Sequence, residues 1–266
     1  MPLYESADPD AHVLSQFSLK GKIALVTGGS RGIGLEAVIG LAEAGADVAF
    51  IYKESTDAED KATKIATKTR QRVQSYQCDV TDREKTRQTI ETVASNFGHG
   101  RLDIVVVNAG VCNNIPALDY AEDEWHYTTR VNYDGAMWTC LAAGHIFKKQ
   151  GRGNLIVTGS VSATLVNVPQ PQSGYNATKA AVVHLAKNLA VEWANFARVN
   201  IISPGYVLTD MVTKRSDMFD DWLKLIPGRR MCKPEELRSV FVFLASDACC
   251  YMTGANLTVD GGYTLP

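Results

Sequence analysis

The sequence predicts a single-domain α/β fold built on a doubly wound, seven-stranded parallel sheet with helices on both faces. Three observations carry this. Short runs rich in β-branched residues alternate with segments of helical period along most of the chain. The runs are continuously apolar, as expected of strands covered on both faces. No low-complexity tract, internal repeat or long linker interrupts the pattern, and a chain of 266 residues is long enough to close around one core.

The predicted strands are Ile23–Val26, Val48–Tyr52, Val73–Tyr76, Ile104–Val107, Leu155–Thr158, Val199–Ser203 and Leu257–Val259. The predicted helices are Ile33–Ala44, Thr56–Gln71, Arg83–Phe97, Glu122–Lys149, Tyr175–Phe196 and Pro234–Ala245. Residues 1–20 read as a polar arm by composition, and residues 21–266 as the domain.

With 45% hydrophobic and 21% charged residues and a net charge of −2, the chain has no electrostatic case for binding nucleic acid or an anionic membrane. The N-terminal segment carries Glu5, Asp8 and Asp10 and no apolar run, so it does not read as a secretory signal. No stretch approaches the roughly 18 apolar residues of a membrane span. The six cysteines lack paired ligand spacing and read as reduced thiols, and scattered His and Cys positions suggest no metal. A cytoplasmic protein is expected.

The first strand runs into Thr27-Gly28-Gly29-Ser30-Arg31-Gly32-Ile33-Gly34 and then directly into a helix. Glycines at a strand-to-helix turn let the backbone approach a pyrophosphate, which the helix N-terminus attracts. This places Gly28, Ser30, Arg31, Gly32, Ile33 and Gly34 against a dinucleotide. The second strand ends with Tyr52 where an NAD-binding chain usually carries an acid, followed by Lys53-Glu54-Ser55. A carboxylate there would repel a ribose 2′-phosphate by about 4 kcal/mol at contact distance. Arg31, Lys53 and Ser55 are candidates to hold that phosphate, which points to NADP(H). The bland alternative leaves both cations solvated on the surface.

Asp79 and Val80, after the third strand, are placed beside the adenine, though Asp79 also suits a helix N-cap. Asn108, Ala109 and Gly110 follow the fourth strand where the cofactor backbone would pass.

At the chemical end, Tyr175 and Lys179 stand four residues apart at the start of a helix and share a face. An ammonium beside the phenol is expected to depress its ordinary pKa of about 10. Ser162 lies just past the fifth strand, where its hydroxyl can hold a substrate oxygen, and Asn132 is placed to orient Lys179 through a water. Pro204 to Arg230 mixes aromatic and Met side chains with charges and reads either as a mobile lid or as a packed satellite helix. At its base Pro204, Gly205, Val207 and Thr209 are expected near the nicotinamide. Asn113, Asn114, Asn167, Gln170 and Gln172 are offered as polar walls for a polyhydroxylated substrate. His126 and His145 read as surface or packing residues.

Taken together, TGGSRGIG at 27–34, Asn108-Ala109-Gly110, Asn132, Ser162, Tyr175-Asn176-Ala177-Thr178-Lys179 and Ser203-Pro204-Gly205 resemble the short-chain dehydrogenase/reductase family. The likeness runs from about Leu19 to the C-terminus. It implies a Rossmann fold, a catalytic tetrad of Asn132, Ser162, Tyr175 and Lys179, and a homotetramer or homodimer. Residues 166–172 and 186–206 are similar to a fungal subgroup holding NADP-dependent mannitol dehydrogenases, sorbose and xylulose reductases, and carbonyl reductases. The resemblance implies an oxidoreductase taking a small carbonyl or alcohol substrate, with a ketose or polyol ahead of a secondary-metabolite ketone. A non-catalytic nucleotide sensor is the third reading, and the intact tetrad argues against it.

Overall fold

The computed structural model describes residues 10–265. Seven strands form one sheet in the order β3-β2-β1-β4-β5-β6-β7, and every neighbouring pair is parallel. They are β1 (Ile23–Thr27), β2 (Asp47–Tyr52), β3 (Val73–Gln77), β4 (Ile104–Val107), β5 (Asn154–Thr158), β6 (Arg198–Pro204) and β7 (Asn256–Val259). The strand order reverses between β1 and β4, which opens a crevice at their carboxyl ends.

The continuous apolar runs serve two cores at once. Side chains alternate across a strand, so Leu25, Val105, Val107, Leu155 and Val157 enter one core, and Ala24, Val26, Ile104, Val106 and Ile156 the other. The helices are α1 (Gly32–Glu43), α2 (Ala58–Thr69), α3 (Arg83–Thr92), α4 (Glu122–Thr129), α5 (Gly135–Gln150), α6 (Ser173–Glu192), α7 (Asp210–Thr213), α8 (Phe219–Leu225) and α9 (Arg238–Ala245). Helices α3, α5 and α6 cover the first core, and α1, α2 and α9 the second.

The predicted helix 122–149 divides. A π-helical turn, Arg130–Asp134, separates α4 from α5, and a second one, Val93–Phe97, extends α3. An inserted residue leaves the apolar pattern helical on both sides, so periodicity alone reads straight through it. Helix α6 starts at Ser173 and stops at Glu192, four residues short of the predicted Phe196.

The described part of the predicted arm is not free of the domain. Leu19 is fully buried in the second core, its N–H donates to Ala44 O at 2.8 Å, and the Phe17 ring packs 6.1 Å from that of Phe243. Residues 1–9 lie outside the described residues. The segment after β6 is also packed at its far end. Trp222, Ile226 and Met231 form a small third core with Val161 and Tyr263, whereas Met211 near its start is exposed. The satellite-helix reading describes α8, and the lid reading is confined to the stretch before it.

Among the described residues no helix is long and apolar enough to cross a membrane. Phe147 is fully buried in the first core, against Gly153, where any Cβ would come within 2.0 Å of the ring. Phe147→Ala is expected to cost about 3–5 kcal/mol, because this tight packing leaves an unfilled cavity. Urea unfolding monitored by circular dichroism checks it; a loss below about 1 kcal/mol would mean that α5 collapses onto the sheet unaided.

Candidate active site

The crevice at the carboxyl ends of β1 and β4 widens into a cleft of about 690 Å³. At one end the glycine loop 28–34 is held by its neighbours. Gly28 has a φ of +66°, and a Cβ there would lie 3.0 Å from the Ala109 Cα. At Gly34 a Cβ would stand 2.2 Å from the Gly28 carbonyl oxygen, so only glycine permits α1 to start this close to β1. Asn108 braces the loop: its Nδ2 donates to the carbonyls of Thr27 and Gly28 at 3.1 and 3.3 Å. Lys61, absent from the sequence reading, donates to Ser30 O at 2.9 Å and clamps the loop from α2. The N-cap of α1 is Arg31, which makes no side-chain cap, so the first N–H groups of the helix face the cleft without a partner.

Of the residues predicted to bind the cofactor, Gly28, Ser30, Arg31, Gly32, Ile33, Gly34, Tyr52, Lys53, Asp79, Val80, Asn108, Ala109, Gly110, Tyr175, Lys179, Pro204, Gly205, Val207 and Thr209 all line this cleft. Ser55 does not; its hydroxyl donates to Asp57 Oδ1 at 2.7 Å, outside the lining. Lys53 lies in the cleft but is not free, since its Nζ is 3.1 Å from Asp79 Oδ2 and 4.0 Å from Glu54 Oε1. The hydrogen bond from Lys53 to Asp79 raises the lysine pKa. The helix cap suggested for Asp79 belongs to Asp82, which accepts from Lys85 N at 2.9 Å. Asp79 instead accepts from Thr81 N and Oγ1 at 3.0 and 2.9 Å. Arg31 is exposed and has no side-chain partner among the described residues.

At the other end α6 begins two residues before Tyr175, so its first turn hangs over the ends of β4 and β5. The Lys179 Nζ sits 5.8 Å from the centre of the Tyr175 ring and donates to Thr158 O at 2.8 Å. Lys179 is 6% exposed, and burial pulls its pKa down to about 8. Burial pushes the Tyr175 phenol above its ordinary value, against a smaller lowering from a hydrogen bond with Ser160. The expected depression by the ammonium is therefore overturned: desolvation of the phenolate wins, and the phenol stays protonated at neutral pH. Ser160, also absent from the sequence reading, accepts from Ser162 N at 3.1 Å and fixes the turn that presents Ser162.

Asn132 sits behind the cleft rather than on its surface. Its Oδ1 accepts from Val111 N at 2.8 Å, and its Nδ2 donates to Val111 O at 2.9 Å and Thr178 Oγ1 at 3.0 Å. The side chain joins the π-helical turn to the β4 loop and to α6, where its partner Thr178 precedes Lys179.

The polar walls are mostly occupied too. Asn113 bonds Tyr120, Glu124 and Thr128, and Gln170 bonds Trp222 and Tyr206. What remains is Asn114 Oδ1, Thr158 Oγ1 and Asn167 Oδ1, all buried, all from residues lining the cleft, and all without a hydrogen-bond partner. His126 and His145 are exposed and are not part of this lining. All six cysteines are free. Among the described residues no group of three His, Cys, Asp or Glu side chains is arranged to hold a metal.

A doubly wound sheet whose switch-point crevice joins a glycine loop to a serine, a tyrosine and a lysine defines an oxidoreductase of the open-sheet α/β class. The comparisons narrow the class. A family model described as enoyl-(acyl carrier protein) reductase matches residues 28–264. A probable NADP-dependent mannitol dehydrogenase of Yarrowia lipolytica is 43% identical over 260 residues, covering 96% of this chain and 92% of that protein. A sorbose reductase of Schizosaccharomyces pombe is 44% identical over 253 residues, covering 94% of this chain and 98% of that one. The crystal structure of an NADPH-dependent 3-quinuclidinone reductase from Rhodotorula rubra superposes with a TM-score of 0.93 at 41% identity, covering 99% of this chain and 98% of that chain. The chain belongs to the short-chain dehydrogenase/reductase family.

Asn132→Ala strands the Val111 N–H and carbonyl and removes the donor to the Thr178 hydroxyl, which keeps its own bond to Tyr175 O, and is expected to cost about 1–3 kcal/mol. The urea midpoint reads this directly; an unchanged midpoint would show that the amide does not brace the site.

Proposed function

We propose that the chain is an NADPH-dependent carbonyl reductase whose substrate is a ketose or the corresponding polyol. The observation that carries it is the combination in one cleft of a buried phenol–ammonium pair with two amide oxygens, on Asn114 and Asn167, that lack donors. Turned toward the cleft, acceptors of this kind take hydroxyl donors, which a sugar or polyol supplies on successive carbons.

The residues fit a dinucleotide. The close approach at Gly28 and Gly34 packs the loop against the end of β4 and the start of α1, and the unpartnered N–H groups of α1 suit a pyrophosphate's charge. β2 ends in Tyr52 rather than a carboxylate, with Glu54 two residues further on beside Lys53, and Arg31 is free to pair with a 2′-phosphate. Lys53 contributes from its ion pair with Asp79, since an ammonium has three N–H donors. The nicotinamide supplies the hydride when bound. Ser162 holds the substrate oxygen, Tyr175 gives its proton to that oxygen, and Lys179, fixed by Thr158 O, holds positive charge beside the phenol as the proton leaves. Asp79 and Val80 stand toward the adenine, and Asn108, Ala109, Gly110, Pro204, Gly205, Val207 and Thr209 shape the path to the nicotinamide. A homodimer or homotetramer in the cytoplasm completes this reading.

A second reading, a bulkier ketone, draws on the wall formed by Tyr206, Met211 and Trp222 and on the likeness to the quinuclidinone reductase. A panel of fructose, sorbose, xylulose and bulky prochiral ketones, followed by NADPH consumption, separates the two. The ketoses are expected to give the higher kcat/KM, and preference for an apolar ketone would transfer the assignment to the second reading. In the same assay Tyr175→Phe is expected to lose kcat by about 100-fold or more while still binding NADPH; turnover at the parent rate would overturn the reductase assignment.

For the cofactor, Arg31→Ala combined with Lys53→Ala is expected to weaken NADPH binding by about tenfold or more while sparing NADH. Quenching of protein fluorescence measures both affinities, and an equal loss for the two dinucleotides would contradict the 2′-phosphate site.

A further inference from the structure

The loop between β5 and α6 carries three amide side chains joined in a line. The line starts at Trp222, 3% exposed, whose indole Nε1 donates to Gln170 Oε1 at 2.8 Å. An indole N–H only donates, so this contact fixes which end of the Gln170 amide faces which way. The Gln170 Nε2 must then point inward, where it donates to the Tyr206 hydroxyl at 2.8 Å and Gln172 Oε1 at 3.4 Å. Gln172 is oriented in turn: its Oε1 also accepts from Asn167 Nδ2 at 3.2 Å, and its Nε2 donates to Cys112 Sγ at 3.0 Å. Asn167 ends the line, with Nδ2 donating to Ser162 Oγ.

One lone pair of the Ser162 oxygen is thus filled by Asn167, and among the described residues the hydroxyl proton has no acceptor. We propose that Asn167 is a positioning residue that commits Ser162 to act as a hydrogen-bond donor toward the substrate oxygen, and that Trp222 sets this polarity through Gln170 and Gln172. The proposal rests on the reading of Ser162 given above. Reversed, the Asn167 amide would turn its oxygen to Ser162 and take the proton. The serine would then meet a carbonyl oxygen with lone pairs only, and the transition-state oxyanion would lose a donor. Linked amides hold one another's orientation, so a single donor-only contact at one end selects the arrangement at the other. The segment carrying Trp222 thereby bears on the chemistry through the amide line, apart from any contact its side chains make as part of the cleft wall.

Asn167→Asp tests the polarity, because an ionised carboxylate accepts only. With saturating NADPH and the fastest ketone of the panel, kcat is expected to fall about 100-fold at neutral pH. The ratio of variant to parent kcat is expected to rise as pH falls through the carboxyl range, about 6 to 4, since a protonated acid again donates to Ser162. The titratable groups around this point are Tyr175, Lys179, Cys112 and Tyr206. Burial keeps the phenols protonated, holds Cys112 up at about 11 and leaves Lys179 at about 8, so none titrates across that interval.

Trp222→Phe keeps a ring on Tyr206 and removes only the N–H. Its kcat is expected to fall about tenfold in the parent background and not at all in an Asn167→Ala background. NADPH affinity by fluorescence and the urea midpoint report folding for each variant. A ratio independent of pH, or a Trp222→Phe loss that persists undiminished beside Asn167→Ala, overturns the relay. Ser162→Ala separates this failure from that of the underlying reading. Parent-like turnover by Ser162→Ala removes Ser162 from the mechanism and the relay with it, whereas an inactive Ser162→Ala beside a flat ratio removes the relay alone.

Discussion

A buried ammonium is the constraint on which the site depends. Lys179 is held almost out of solvent by one carbonyl, that of Thr158 at the last position of β5. Isolating a charge this way is costly, and the shift of its pKa down to about 8 expresses that cost. The arrangement needs a sheet edge whose terminal carbonyl lacks a strand partner, and the carboxyl end of a parallel strand provides one. It also needs a helix that starts immediately over that edge. Helix α6 meets both demands, and Tyr175, one turn earlier on the same face, is carried into the cleft with it.

The same geometry explains why the phenol is not acidic. Tyr175 and Lys179 are desolvated together, so each disfavours its own charged form, and the tyrosine keeps its proton while the lysine is drawn toward neutrality. This suits a proton donor. It does not by itself suit a base.

The strands and the positions of Gly28, Gly34, Ser162, Tyr175 and Lys179 were legible because each follows from local rules: an apolar run, a strand-to-helix turn, a spacing of four on a helix. What was not legible depends on contacts between distant segments. Ser55 follows Lys53 by two residues, yet Asp57 captures its hydroxyl. Lys53 is a cation in the sequence but half of an ion pair in the fold, because β2 and β3 are neighbours and bring Asp79 beside it. Asn132 stands in a π-helical turn that leaves the apolar period intact, so its side chain faces Val111 and Thr178 rather than solvent. The loop amides read as wall residues for a sugar because loops are rich in them. Only the coordinates show that Gln170 and Gln172 are spent on one another and on Trp222, and that Asn114 and Asn167 keep an oxygen free.

Charge at the mouth of the cleft follows from the same pairing. Because Asp79 offsets Lys53, Arg31 remains as the cation with no partner of its own at the glycine loop. With a net charge of −2 on the whole chain, its overall charge provides no attraction for an anionic dinucleotide. What this mouth offers a phosphate at contact range is a guanidinium suited to bidentate pairing and an ammonium with N–H donors to spare. Contact pairs at a half-exposed mouth are screened by salt less than a diffuse field and more than a buried pair. The charge available to a phosphorylated cofactor is therefore local to a few side chains, while the phenol, the serine and the amide line behind it are set by packing deeper in the fold.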